Sequence, residues 1–379
     1  MTMKHKKKLL VAGAAAAMLA TAGWVLAEDA AAPAADAPVA DEAAAAPADD
    51  AAAAPAEETA AAEAEAPVVA AKPRPSEIMP LASRSPMLGL VNTGKHLVAV
   101  GDRGQILVSN NGRNWAQVPT PVRSPLTAVT FVDDKNGWAV GHDATILHTA
   151  DGGKTWELQN FNAELEKPYL SVRFLDANTG FAIGAYGMAS KTTDGGKTWT
   201  DLDAPAIRGE ELHLNDIIKL GNGNLLVAGE QGTIGVSADN GNTWDKVNSP
   251  YEASLFGALP VGEKGALVYG LRGNVFINSD VRSGSWTKID TKTVDTFFGG
   301  TTTADGKLIL VGLSGTILVV DSATKEARAV KIRKDEVTAA GRRITDVVTS
   351  TLSGVIPFKE GVLVAGDEGI QTLASLQAQ

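Results

Sequence analysis

The side chains able to do covalent or acid–base chemistry are sparse in this 379-residue chain. Four tyrosines, Tyr169, Tyr186, Tyr251 and Tyr269, are the candidates for a tyrosine nucleophile helped by a carboxylate, an arrangement some glycoside hydrolases use. Tyr251-Glu252 is the one adjacent pair, but that mechanism needs partners that converge in space. Tyr269 sits inside an apolar run and reads as packing. Asp151, Asp194 and Asp239 each precede glycine and a Thr-Trp pair, which marks them as turn residues and not as an acid/base pair. His142-Asp143 has the chemistry of half a metal site, and His148 flanks the same strand, yet no set of three or four ligands accompanies them. There is no cysteine, which excludes disulfides, thiolate metal sites, a cysteine nucleophile and a lipidated N-terminal cysteine. The reading is no catalytic residue, no metal and no cofactor.

The elements that hold these residues are short strands. The stretch Ala144 to Trp156, ATILHTADGGKTW, runs a strand from Thr145 to Thr149, turns through Asp151-Gly152-Gly153-Lys154, and opens the next strand at Thr155-Trp156. Asp151 can fold its carboxylate onto the turn N–H groups, and the glycines take positive φ cheaply. Trp156 is a flat wedge for the space between sheets. The phosphate-loop reading of Asp151-Gly152-Gly153-Lys154 fails, because the turn joins two strands and opens no helix. The same motif is complete at Thr192, Asp194, Gly196, Thr198, Trp199 and at Ser237, Asp239, Gly241, Thr243, Trp244, alongside Thr149, Asp151, Gly153, Thr155, Trp156. It is one residue short at Ser109 to Trp115, degraded at Ser279 to Trp286, and absent near Asp321.

A second hairpin, of Gly-x-x-Gly type, recurs with it. Its leading glycines fall at 101, 141, 184, 229, 270, 312 and 366, so five spacings lie between 40 and 45 and the last is 54. A period near 40 with several short strands per unit is the signature of a β-propeller. The expectation is an all-β chain, a seven-bladed β-propeller of four-stranded antiparallel blades over residues 76–379, with inner strands such as Thr127 to Val132. The last unit lacks room for an outer strand, and residues 76–86 are expected to supply it and close the ring.

Residues 1–27 read as a signal peptide, with Lys4, Lys6, Lys7 and Lys8 before an apolar run and Val25-Leu26-Ala27 as a cleavage site. Residues 28–75 read as a disordered Ala/Pro/acidic linker: eleven acids and no Lys or Arg fall between Glu28 and Ala66. The net charge of −10 therefore belongs to the linker, the folded part is near neutral, and nucleic-acid binding, which wants a basic field, is not expected. The chain is expected to be exported: periplasmic, secreted, or held by an uncleaved signal.

In a four-stranded blade the turns between the second and third strands emerge on one face with the blade-to-blade connections. That gathers Arg103, His142, Tyr186, Gln231 and Arg272, with Arg123 and Arg208 from the connections, into a candidate interaction face. Arg333, Arg342 and Arg343 fall in a further connection.

The Ser/Thr-x-Asp-x-Gly-x-Thr-Trp turns at 149–156, 192–199 and 237–244 are Asp boxes, also called bacterial neuraminidase repeats. With the Gly-x-x-Gly-x-Ile hairpins they resemble the photosystem II stability/assembly factor propellers over about residues 80–379. The resemblance implies a non-catalytic, chaperone-like scaffold for a membrane protein complex, lumenal in cyanobacteria and plastids. Exported relatives outside photosynthesis imply a transporter of the resistance–nodulation–division type as partner. The acidic linker departs from the photosynthetic members, and their arginine-rich patch is not evident here. The expected protein is a monomer that binds an envelope membrane complex; the alternative is a sialidase- or glycosidase-like Asp-box hydrolase, or a glycan-binding propeller.

Overall fold

The computed structural model describes residues 71–373 apart from Glu210 and positions 332, 338–342 and 348; side chains from 331 to 348 are also outside the description. The signal peptide, nearly all of the linker, and the side chains of Arg333, Arg342 and Arg343 therefore lie outside the described residues.

Among the described residues, seven antiparallel sheets follow one another along the chain, six of four strands and a seventh of three, with a two-stranded sheet between the sixth and the seventh. The second strands, such as Leu97–Gly101, Gly137–Gly141 and Leu308–Gly312, are buried along their whole length. Each is covered on both faces by neighbouring sheets, which is why these strands read as unbroken apolar runs. The inner strands pack one on the next in sequence: Met87–Asn92, Leu126–Phe131, Tyr169–Phe174, Leu214–Lys219, Leu255–Val261, Phe297–Thr302 and Leu352–Phe358, the last returning to the first. This closed succession is a seven-bladed propeller.

Each inner strand carries a bulge at its second residue. The polar bulge residues donate to the next blade: Thr127 Oγ1 to the Tyr169 carbonyl at 2.7 Å, Asn215 Nδ2 to Leu255 at 2.8 Å, and Ser353 Oγ to Met87 at 2.6 Å. Bulges re-aim a side chain, and here they direct it across the blade boundary.

One expectation changes. Residues 76–86 form no strand on blade 7, whose third strand, Gly369–Leu373, pairs only with Gly361–Gly366 among the described residues. Residues 82–84 form a 3₁₀ turn against Gly369–Leu373, so the segment does bridge blade 7 to blade 1. Residues 76–79 lean instead on blade 1. Ser76 N–H donates to the Thr120 carbonyl at 3.0 Å, Met79 N–H to Gln117 Oε1 at 2.8 Å, and Gln117 Nε2 to the Glu77 carbonyl at 2.8 Å. Pro75 and Pro80 bracket this stretch and remove two ladder donors, while Gln117 and Thr120 offer other partners.

The irregular spacing of 54 also has a cause. The outer strand of blade 6, Ala327–Lys331, continues one residue later as Arg333–Val337, which pairs antiparallel with Arg343–Val347 before the chain enters blade 7. This two-stranded hairpin is an insertion in the connection.

Candidate interaction face

The turn between the second and third strands is built to one pattern in all seven blades. The residue after the leading glycine donates its N–H to the carbonyl just before the inner strand, as in Asp102 to Pro86, His142 to Pro125, Leu271 to Ser254 and Asp367 to Thr351. A Cβ on the leading glycine would lie 1.9–2.5 Å from that same carbonyl in every blade. Glycine is thus demanded there by close backbone approach, because φ is extended. At the second glycine both constraints operate: Gly232 has φ +68 and its Cβ would lie 1.8 Å from the Tyr251 carbonyl.

In six turns the residue before the second glycine is a non-glycine held in the left-handed region: Arg103, Asp143, Tyr186, Gln231, Arg272 and Ser314, with φ from 49 to 57; in blade 2 Ala144 stands in place of that glycine and is left-handed too, with φ 50. A left-handed non-glycine residue is uncommon, and the frame imposes it six times. The glycine frame and connections such as Thr120–Pro125 and Thr291–Thr296 interlock, so the expected ring of turn residues and connections is assembled on one end of the blades.

The predicted face residues differ in how much they are free to do. Arg103, Gln231 and Arg272 are exposed, Arg103 beside its neighbour Asp102 at 3.5 Å. Tyr186 is half-buried, edge-on to His213 at 4.8 Å, with the Lys167 ammonium 5.6 Å from its ring. His142 is not the outward residue of its turn; Asp143 is, and it accepts the Ser124 hydroxyl. Burial holds the His142 pKa below the ordinary value despite the Asp143 charge. Arg123 pairs with Glu77. Arg208 is fully engaged inside blade 3: it grips both Asp201 carboxylate oxygens at 2.8 and 2.9 Å, donates to the Gly187 carbonyl at 2.7 Å, and bonds the Leu202 carbonyl. Of the four arginines in the candidate face, Arg123 and Arg208 are thus engaged by carboxylates of other segments, while Arg103 and Arg272 are exposed at the turns. Nothing in the residue types announced the Arg208 clamp, because Asp201 and the one-turn helix Pro205–Arg208 are brought together only by the fold.

The Asp boxes occupy the opposite end, beside the turns that leave the inner strands, as shown by Gly152 N–H on the Lys135 carbonyl and Gly195 N–H on Asn178. Asp151 accepts Lys154 and Thr155 N–H groups at 2.9 and 3.0 Å and the Thr155 hydroxyl at 2.7 Å, while Thr149 Oγ1 accepts Gly153 N–H at 3.0 Å. Asp194 and Asp239 repeat the pattern with Thr198 and Thr243. In the short copy Asn111 accepts Arg113 and Asn114 N–H groups at 2.9 Å, so the amide does the same work without charge. The hydroxyl and N–H of Thr198 hold Asp194 down to about 2, and Thr243 holds Asp239 lower still. For Asp151, partial burial pushes the pKa up, but the bonds from Thr155, Thr149 and Lys154 outweigh it. Carboxylates so fixed are ionised turn anchors, the reverse of what a general acid needs.

The box tryptophans are wedges between blades. Trp156 packs on Val98, Val100 and Val108 of blade 1, Trp199 with Trp138 of blade 2 and Phe174 of blade 3, and Trp244 on Phe181 and Ile183 of blade 3. Trp115 joins Leu363 and Ile370 of blade 7 across the closure of the ring. Tyr269 is buried in the core, where burial raises its pKa well above the ordinary value.

These features define a seven-bladed Asp-box propeller with a structural box end and a variable turn end. The family model described as photosynthesis system II assembly factor YCF48 matches residues 107–350, and the chain belongs to that family. It is similar to the photosystem II stability/assembly factor HCF136 of Cyanidioschyzon merolae, 35% identical over 86 residues, covering 21% of this chain and 20% of that protein. It is also similar to the photosystem II assembly protein Ycf48 of Thermosynechococcus vestitus, 40% identical over 43 residues, covering 11% of this chain and 12% of the relative. The matched stretches thus span a fifth or less of these relatives. Among solved structures, YCF48 bound to D1 peptide has a TM-score of 0.59 at 17% identity, covering 79% of this chain and 98% of that one. YCF48 from Cyanidioschyzon merolae has a TM-score of 0.58 at 19% identity, covering 77% and 95%. At such identities the likeness is one of fold: the WD40 propeller of Doa1 reaches 0.57 at 11%.

Proposed function

We propose that this protein is an exported, non-catalytic assembly or accessory propeller that binds a segment of a membrane protein complex of the cell envelope through its turn face. The observation that carries the reading is the repeated turn frame: the backbone is fixed blade by blade while the left-handed residue changes among Arg, Asp, Tyr, Gln and Ser. Family membership supports the assembly role, and a solved relative, YCF48 bound to D1 peptide, supports a peptide segment as the ligand. The partner in a photosynthetic cell is a photosystem subunit; elsewhere it is a transporter of the resistance–nodulation–division type. The protein acts as a monomer, without nucleic acid or cofactor.

The test is an affinity pull-down of the tagged full chain from detergent-solubilised envelope membranes, read by mass spectrometry. The expected result is stoichiometric recovery of a membrane complex. Recovery of none, together with turnover or retention of a glycan by the same preparation, contradicts the proposal.

A further inference from the structure

Blades 1 and 5 share a local design. Thr120 Oγ1 donates to the Gly104 carbonyl at 2.8 Å and to the Val122 carbonyl at 3.0 Å. Thr291 Oγ1 donates to the Gly273 carbonyl at 2.9 Å and to Thr293 at 3.2 Å. By these bonds the run Gln117 to Arg123 corresponds, position by position, to Lys288 to Val294, and the turn residue Arg103 to Arg272. In blade 1 this run is already engaged by an extended piece of the chain itself. Ser76 N–H donates to the Thr120 carbonyl and Ser76 Oγ accepts Thr120 N–H, both at 3.0 Å; Gln117 bonds the Glu77 and Met79 backbone; the Glu77 carboxylate pairs with Arg123. Met79 then packs into the core beside Ala82 and Ile370.

In blade 5 the corresponding run lines an open cleft of about 880 Å³ formed by Arg272 to Asn274 and Lys288 to Val294. Among the described residues no backbone bond reaches Thr291 there. Arg272 and Lys288 are exposed cations that close no ion pair among the described residues; the Lys288 ammonium lies 5.9 Å from the Phe276 ring and within the influence of Asp290, which itself pairs with Lys292 in the same wall. Val294 is 80% exposed, although valine is ordinarily a core residue. The frame beneath is fixed by the Thr291 bonds and by Arg272 N–H on Thr296 Oγ1 at 3.2 Å, so a ligand meets a preorganised surface.

We infer that the blade-5 cleft binds an extended peptide segment bearing a carboxylate next to aliphatic side chains, its backbone lying on Thr291 as Ser76 lies on Thr120. The side-chain register differs from blade 1, because Val294 stands where Arg123 holds Glu77: the carboxylate meets Arg272 and Lys288, and Val294 meets the aliphatic neighbour. This deepens the turn-face reading and rests on it for the source of the segment, a partner polypeptide.

The probe is a fluorescently labelled peptide of the chain's own residues 75–81, Pro-Ser-Glu-Ile-Met-Pro-Leu, titrated with the full chain and read by anisotropy. The expected result is saturable binding, weakened about tenfold or more by the double variant Arg272→Glu/Lys288→Glu and by Glu→Lys within the peptide, and unchanged by Lys154→Glu at the box end. Retained thermal melting of the double variant establishes that it folds. Absence of saturable binding up to millimolar protein, or equal binding by the double variant, overturns the inference. The assay contains no membrane partner, so its failure leaves the turn-face reading standing, and failure of the pull-down leaves the cleft standing.

Discussion

Asp216, on the inner strand of blade 4, accepts the backbone N–H of Ala258, on the inner strand of blade 5, at 3.1 Å. Its other oxygen accepts the Ser171 hydroxyl of blade 3 at 3.0 Å, so one carboxylate ties three successive blades. Burial pushes the Asp216 carboxyl up and the nearby Arg173 guanidinium down; their mutual attraction only partly offsets the loss of water. Asp216→Ala leaves the Ala258 amide unpaired and removes the acceptor of the Ser171 hydroxyl, and is expected to cost about 2–3 kcal/mol. Thermal melting checks this; an unchanged Tm contradicts the staple.

The leading turn glycines are needed for space and certain others for φ, and the two classes separate experimentally. At Gly312 a Cβ would lie 1.9 Å from the Thr296 carbonyl, whereas at Gly306, with φ +81, nothing lies within 4 Å. Gly306→Ala is expected to cost about 1 kcal/mol of backbone strain. Gly312→Ala is expected to cost more, about 3 kcal/mol, because backbone must move. Urea unfolding of both variants measures the difference.

The Asp boxes make stability depend on acid pH. Asp194 is depressed from 3.8 to about 2 by its bonds from Thr198. A depressed carboxylate contributes stability that is present above its unfolded value and is lost as pH falls through its folded value. The melting temperatures of the native chain and Asp194→Asn are therefore expected to differ above pH 4 and to converge toward pH 2. A difference as large at pH 2 as above pH 4 contradicts the assignment.

Trp156 seals the boundary of blades 1 and 2, with its Nε1–H on the Gly153 carbonyl at 3.1 Å. Trp156→Ala is expected to destabilise by about 3–5 kcal/mol. Trp156→Phe, which keeps the wedge and loses the bond, is expected to cost less, and calorimetry separates the two.

Much of the fold was legible because close packing writes itself into glycine. The seven leading glycines mark seven points where one backbone crosses another, and Asp, Thr and Trp at fixed offsets mark turns that side chains complete. What the sequence hides are contacts with no local rule. The turn of Ser76–Met79 toward blade 1 depends on Gln117, some forty positions away. The hairpin of Arg333–Val337 and Arg343–Val347 was visible only as an excess of length. At the turn face, spacing placed Arg103, Tyr186, Gln231 and Arg272 together, but could not tell that Arg208 and Arg123 are engaged by Asp201 and Glu77.

The central claim is that the turn end, and not the box end, meets the partner. A photo-crosslinking amino acid at Arg272 or Tyr186, compared with one at Lys154 or Lys197, tests it directly in cells followed by membrane solubilisation. The account predicts crosslinks to a membrane protein from the turn-end positions alone. Crosslinks from Lys154 or Lys197 with none from Arg272 or Tyr186 would contradict it.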